Sequence, residues 1–132
     1  MALADPAFLT AAAQGRAFQD GSLTPSAVVE AQLARIDRHG AKLHAFTEVY
    51  AEDARAAAAA ATDAIRRGWR IGPLHGVTIA LKDLIEIEGR ETKGGTKANA
   101  GRISAYTATI ARRALEAGMI VIGKTHTVEF AM

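Results

Sequence analysis

The sequence has no cysteine, and it is poor in proline, serine and aromatic residues. Without cysteine the chain has no disulfide scaffold. It has no run of 18 apolar residues, so no membrane-spanning helix is expected. Its first 20 residues lack the basic and long apolar segments of a secretory signal. These absences predict a cytoplasmic protein.

The chain also lacks a large excess of charge of either sign, since 16 basic and 14 acidic residues leave a net charge of +2. This excess is small and dispersed, which argues against nucleic acid as a partner. With 49% hydrophobic residues over 132 positions, the composition is that of a globular chain with room for one ordinary domain.

Alanine is abundant and aromatic residues are few: the chain has 30 alanines and seven aromatic residues. Small side chains bury little apolar surface each, and burial contributes about 0.8 kcal/mol per methylene. A self-sufficient domain of this length usually carries more large side chains.

Hydrophobic periodicity and helix start signals divide the chain into two parts. Residues 1–68 are predicted to form a mainly helical arm, and residues 69–132 a strand, loop, helix and strand, an order typical of a parallel crossover in an α/β sheet. The predicted helices are 5–20, 24–40, 51–67 and 107–117, and the predicted strands are 45–49, 77–81 and 119–122. The apolar run 77–81 is typical of a strand buried on both faces, and Gly123 is expected to end the last strand.

Residues 118–125 match the phosphate-loop pattern GxxxxGK[ST] letter for letter. A phosphate loop needs a strand before it and a helix after it. Here a helix precedes the motif, and its four middle residues are apolar and favour a strand, whose amides would bond within a sheet. We therefore do not expect nucleotide binding.

Lys82 directly follows the apolar run 77–81. Ligands bind at strand ends in α/β sheets, and a partly desolvated lysine there can act as a base. A lysine that reaches water or pairs with Asp83 fits the spacing better, so the residues alone favour a structural role.

The loop that follows contains Gly94, Gly95 and Thr96, which are weak candidates for substrate binding. Paired glycines permit close backbone approach, and a functional loop and a tight structural turn are equally compatible with them. The four histidines have no metal-binding spacing, so neither a metal nor a cofactor is expected. They are His39, His44, His75 and His126.

In combination these segments resemble the amidase signature family over about residues 8–132. Residues 74–84 (LHGVTIALKDL) are similar to the family's GVPIAVKDL strand, and 89–96 to its GxPTTxGS loop. Residues 108–131, with GKT and then EFA, are similar to its ATVVxRLRxAGAIIxGKTNxxEFA segment. Upstream, 23–36 resemble a helix with LTSxELVxAxLxRI, and 43–46 resemble LNAF. Five positions depart from the family's usual residues without touching the matched lysine: Thr78, Glu91, Thr96, Thr107 and His126.

The resemblance implies the N-terminal part of an α/β/α fold, a mixed sheet flanked by helices, in an enzyme that hydrolyses carboxamides through a Ser–cis-Ser–Lys triad. Lys82 matches the catalytic lysine, and this match makes the catalytic interpretation the favoured one. The family's two catalytic serines lie beyond the EFA motif. Ser22, Ser26 and Ser104 match neither of them, so this chain alone is expected to be inactive.

The resemblance also implies the partners: a small-molecule amide as substrate and the remainder of the amidase domain. A homo-oligomer is a further option. Two alternatives stay open. One is the A subunit of a tRNA-dependent amidotransferase, which releases ammonia from glutamine for a partner protein. The other is a non-catalytic interaction domain in which Lys82 merely ends a strand.

Overall fold

A computed structural model describes residues 5–132 as a mixed α/β structure. Its four helices and three strands are, in chain order, α1 (Ala11–Asp20), α2 (Pro25–Leu43), β1 (Phe46–Val49), α3 (Ala51–Arg66), β2 (Thr78–Lys82), α4 (Thr109–Glu116) and β3 (Ile120–Thr125). Short 3-10 helices lie at Pro6–Phe8, Lys97–Asn99 and Glu129–Ala131. The predicted α/β class is confirmed.

The three strands form one sheet in the order β1-β3-β2. Strand β3 pairs antiparallel with β1 and parallel with β2. The predicted parallel crossover, from β2 through α4 to β3, is therefore confirmed. Because β1 comes from the N-terminal half and β2 and β3 from the C-terminal half, the sheet joins the two halves of the chain.

Side-chain caps set the starts of the first two long helices. The hydroxyls of Thr10 and Thr24 accept hydrogen bonds from the amides three residues ahead, at 3.2 Å in each case. The single helix predicted from residue 5 is wrong, because Asp5 caps only the Pro6–Phe8 turn and extended residues Leu9 and Thr10 separate it from α1.

Helix α2 continues past Gly40, where the sequence predicted its end, to Leu43. Gly40 has open space around its α-carbon, and nothing in its surroundings forces the chain out of helical geometry. The helix ends instead at His44, which adopts a left-handed conformation with φ 49° and donates its amide to the Gly40 carbonyl.

Two strand predictions are wrong: the burial of β2 and the end of β3. Within β2 only Leu81 is buried, because β2 has a strand beside it on one side only in the described residues. The central strand is β3, and it runs through Gly123 to Thr125. A Cβ at Gly123 would overlap the Glu48 carbonyl oxygen, so a glycine is required where β1 and β3 approach closely.

The main core lies between α2, α3 and β3. It combines two larger residues of α2, three alanines of α3 and two isoleucines of β3: Val29, Leu33, Ala54, Ala58, Ala61, Ile120 and Ile122. The abundant alanine thus allows α3 to lie close to α2 and the sheet. None of the helices in residues 5–132 is long and apolar enough to cross a membrane.

Candidate functional site at the ends of two parallel strands

Lys82 is the last residue of β2, and its side chain is exposed. Its carbonyl accepts hydrogen bonds from the amides of Leu84 at 2.7 Å and Ile85 at 2.9 Å, which turn the chain sharply after the strand. The lysine therefore lies at the carboxyl end of a parallel strand, the edge at which open α/β sheets bind ligands.

Asp83, the next residue, is buried with 2% of its surface exposed. Its amide donates to the Thr125 carbonyl at 2.9 Å, which extends the pairing of β2 with β3 by one residue. Neighbouring residues of an extended chain point to opposite sides, and this alternation separates the exposed lysine from the buried aspartate.

The segment 89–104 folds back on itself and returns to the end of β2. Glu91 and Ile103 form an antiparallel bridge, and the amide of Ser104 donates to the Arg90 carbonyl at 2.9 Å. At the tip, the Gly94 amide donates to the Asp83 carbonyl at 2.8 Å. The loop expected beside the strand end is therefore attached to the residue that follows Lys82.

The segment after β3 closes over the same glycines. The Phe130 amide donates to the Gly94 carbonyl at 2.7 Å. A Cβ on Gly95 would lie 2.7 Å from the Thr127 carbonyl oxygen, so the backbone approaches at a distance that only glycine permits. Three segments distant in the sequence thus meet at one edge of the sheet: the end of β2, the glycine loop and residues 127–131.

The three weak substrate-binding candidates differ in what they do. The Gly94 amide and carbonyl are both hydrogen-bonded within the chain, and the Thr96 hydroxyl accepts from the Ala98 amide at 3.3 Å and caps a 3-10 helix. Gly95 and Thr96 line a cavity of about 280 Å³. It is lined by Thr47, Asp83, Lys93, Gly95, Thr96, Lys97, Ala100 and His126, and Lys82 is not among these residues.

Sequence reasoning gave Lys124 no role of its own, although the residue is part of both the phosphate-loop match and the GKT motif. It lies within β3 with 0% of its side chain exposed, and its Nζ is 3.6 Å from Asp83 Oδ1. The strand expected for this motif is confirmed. A lysine inside a run of buried strand residues needs a carboxylate partner, and this requirement was the available signal.

A chain of hydrogen bonds runs from Lys124 into the loop. Lys124 Nζ donates to Thr92 Oγ1 at 2.8 Å, and Thr92 Oγ1 lies 2.9 Å from Ser104 Oγ. The Ser104 hydroxyl donates to Glu86 Oε2, and Arg102 donates to Glu86 Oε1 at 2.7 Å. Because the single proton of Ser104 goes to Glu86, the Thr92 hydroxyl donates to Ser104. The chain therefore leads from an ammonium to a carboxylate.

At each end of this hydrogen-bond network, burial shifts the pKa in one direction and the neighbouring groups shift it in the other. Burial lowers the pKa of Lys124, and the nearby Asp83 carboxylate opposes the shift only in part. Burial tends to raise the pKa of Glu86, but hydrogen bonds from Ser104 and Arg102 outweigh it and hold that pKa below its usual value. The carboxylate form of Glu86 is thus favoured.

The serine hydroxyls all bond to residues other than Lys82. Ser104 belongs to the buried network, Ser26 Oγ lies 3.0 Å from Thr62 Oγ1, and Ser22 Oγ is 3.5 Å from the Ala17 carbonyl oxygen. Within residues 5–132, no three His, Asp or Glu side chains come together as a metal site would require.

Comparison with known proteins identifies the family. The model of the family described as Amidase matches residues 27–132. This chain belongs to the amidase signature family. The match includes the Lys82 strand, the glycine loop and the GKT and EFA segments, so the resemblance read from these motifs is confirmed.

Curated relatives of this amidase-family chain are much longer than it. It is 44% identical over 124 residues to the A subunit of glutamyl-tRNA(Gln) amidotransferase from Streptomyces coelicolor, covering 94% of this chain and 25% of that protein. It is 41% identical to the protein of the same name from Chloroflexus aggregans, covering 95% and 26%. The chain thus spans about a quarter of the length of these curated relatives.

A solved structure confirms the fold. The structure of the native peptide amidase from Stenotrophomonas maltophilia superposes with a TM-score of 0.83 at 34% identity, covering 94% of this chain and 26% of that one. The helices and mixed sheet described above therefore correspond to part of the amidase signature fold.

Proposed function

We propose that this chain is the N-terminal portion of a single amidase domain, in an enzyme that hydrolyses a carboxamide C–N bond with Lys82 as the catalytic base. The observation that carries the proposal is the position of Lys82. It matches the family's catalytic lysine, and it is an exposed amine at the carboxyl end of a parallel strand, beside a glycine loop.

In the proposed reaction, neutral Lys82 takes a proton from a bridging serine, which in turn takes the proton of a nucleophilic serine. The nucleophile forms a C–O bond to the amide carbon. The proton returns to the nitrogen as the C–N bond breaks, and ammonia or an amine leaves. Water then attacks the acyl-enzyme, which releases the carboxylate and restores the serine. A base held in this geometry contributes about 10²- to 10⁴-fold to the rate.

Both serines of this mechanism belong to the part of the domain outside this chain. The serine hydroxyls present here bond to Thr62, to Glu86 and Thr92, and to the Ala17 carbonyl of α1. Residues 1–132 alone are therefore expected to bind no acyl group and to release no ammonia.

The test uses the full-length protein and measures ammonia release from simple amides. Lys82→Ala is expected to lower kcat at least about 10²-fold, because the base is lost. The matched control is Lys42→Ala, which removes an exposed lysine in the last turn of α2. Equal turnover by wild type and Lys82→Ala would refute the role of Lys82.

A second candidate is the A subunit of a tRNA-dependent amidotransferase, favoured by the names of the relatives at 44% and 41% identity. In that case the substrate is glutamine, and the ammonia passes to a partner protein. Glutaminase activity that requires companion proteins, with no turnover of simple amides, would support this candidate over a free-standing amidase.

A further inference from the structure

The buried pair of Lys124 and Asp83 lies directly behind the end of β2. Lys124 has no exposed side-chain surface and Asp83 has 3%. Lys124 therefore cannot meet a substrate, and Asp83 contributes only its small exposed surface to the cavity that Gly95 and Thr96 line. What Lys124 does for the reaction, it does through another residue.

Stability alone is a weak reason for such a pair. Desolvation of two charges offsets most of their attraction, and well-packed apolar residues of similar volume are often as stable or more so. Burial lowers the pKa of Lys124, because removal from water disfavours its charged form. The pair therefore points to a requirement for a defined geometry.

The geometry that it defines is that of Asp83, which is held from three directions. Its amide bonds to β3 at Thr125, and its carbonyl accepts from Gly94 of the loop. Its carboxylate lies beside Lys124 Nζ and accepts from the Lys93 amide at 3.4 Å. With Asp83 held inside the fold, strand alternation directs the neighbouring Lys82 outward.

Lys124 also braces the loop that faces the strand end. Its second partner, Thr92, is buried and leads through Ser104 to the Glu86–Arg102 pair. One ammonium group thus joins β3, the end of β2 and the loop. Small displacements at an active site lower rates steeply, by about 10²-fold for 1 Å.

We propose that Lys124, acting through Asp83 and Thr92, is a positioning residue that sets the direction of the Lys82 side chain. This inference rests on the proposed function, since it assigns the pair its effect through Lys82. According to this inference, turnover also depends on residues that act only through Lys82.

The experiment measures kcat and KM of the full-length protein well below its melting temperature, with the folded fraction checked by circular dichroism. Lys124→Met is expected to lower kcat per folded molecule by about tenfold to a hundredfold with little change in KM. Leu33→Ala, which destabilises a core distant from the site, and Lys42→Met, an exposed lysine, are expected to keep the wild-type kcat.

The double variant Asp83→Asn with Lys124→Met leaves no uncompensated buried charge. It is expected to melt closer to wild type than Lys124→Met while kcat stays low. Wild-type kcat in either folded variant overturns the inference. If neither folds, Thr92→Val decides, because it keeps both charges and removes one contact of Lys124: a lowered kcat supports the inference, and an unchanged one overturns it.

The two proposals fail separately. If Lys82→Ala retains turnover, the proposed function fails whatever Lys124 does. If Lys82→Ala abolishes turnover while folded Lys124→Met keeps it, only the positioning role fails.

Discussion

The helical core and the carboxyl edge of the sheet are built on different principles. Between α2, α3 and β3 the buried residues are small or branched apolar side chains, apart from Thr62, whose hydroxyl bonds to Ser26. At the ends of β2 and β3 they are charged or hydroxyl-bearing: Asp83, Glu86, Thr92, Ser104, Lys124 and Thr127. Apolar burial stabilises in proportion to area and tolerates small movements, whereas buried polar groups demand defined partners and distances. The first region therefore supplies stability, and the second supplies geometry.

The largest expected effect on stability tests the helical side of this comparison. Leu33→Ala in α2 is expected to lower the free energy of unfolding of the full-length protein by about 3 kcal/mol, through lost burial and a residual cavity. Denaturant titration measures the loss. Leu43→Ala, the same change at an exposed site of the same helix, is the matched control, and equal losses in the two variants would contradict the assigned core.

A smaller effect is expected at the start of α2. Thr24→Ala removes the oxygen that caps the Ala27 amide and is expected to lower stability by about 1 kcal/mol. Thr24→Ser keeps the oxygen and should lose much less. The melting temperatures of the two variants check this difference, and kcat below the transition should stay that of wild type, since the cap belongs to the helical region.

The smallest effect is a pH dependence near the turn that leads into β2. Burial, aided by the charge of Arg70, lowers the pKa of His75, whose Nδ1 accepts from the Ile71 amide at 3.2 Å. The unfolded chain, with an ordinary histidine pKa of about 6.5, then binds more protons than the fold. This contribution to stability is full above about pH 6.5 and is lost as the pH falls below that value.

His75→Asn should therefore flatten the fall in unfolding free energy between pH 7 and pH 5, by less than about 1.4 kcal/mol per pH unit. Urea titrations at several pH values measure this slope, with His44→Asn, at an exposed histidine, as the control. An unchanged slope in His75→Asn would show that His75 is not the group responsible.

Sequence patterns predicted which helices and strands form better than they predicted where these elements end and how deeply they are buried. Cap residues and hydrophobic periods identified α2, α3 and the three strands, because these signals are local. The end of α2 was missed because Gly40 permits a bend without requiring one. The burial of β3 was predicted correctly, whereas that of β2 was assigned wrongly because it depends on sheet order, which a local apolar run does not encode.

The residues of the candidate site likewise fall into those found from local motifs and one that was missed because it depends on a long-range contact. Lys82 and the glycine loop were found from motifs, and their roles stay predictions. Lys124 was missed because its significance comes from a contact with Asp83, a residue far from it in the sequence. Such a partner becomes visible only when two parallel strands place their carboxyl ends side by side.

Gly123 gives the central strand a consequence that reaches both regions. With no methyl group at this position, β1 lies flush against β3, and the following residue is Lys124. The spacing between β1 and β3 is thus set at this point by the side chain that Gly123 lacks. Any larger residue there would act as a wedge, moving apart the two halves that the sheet holds in register.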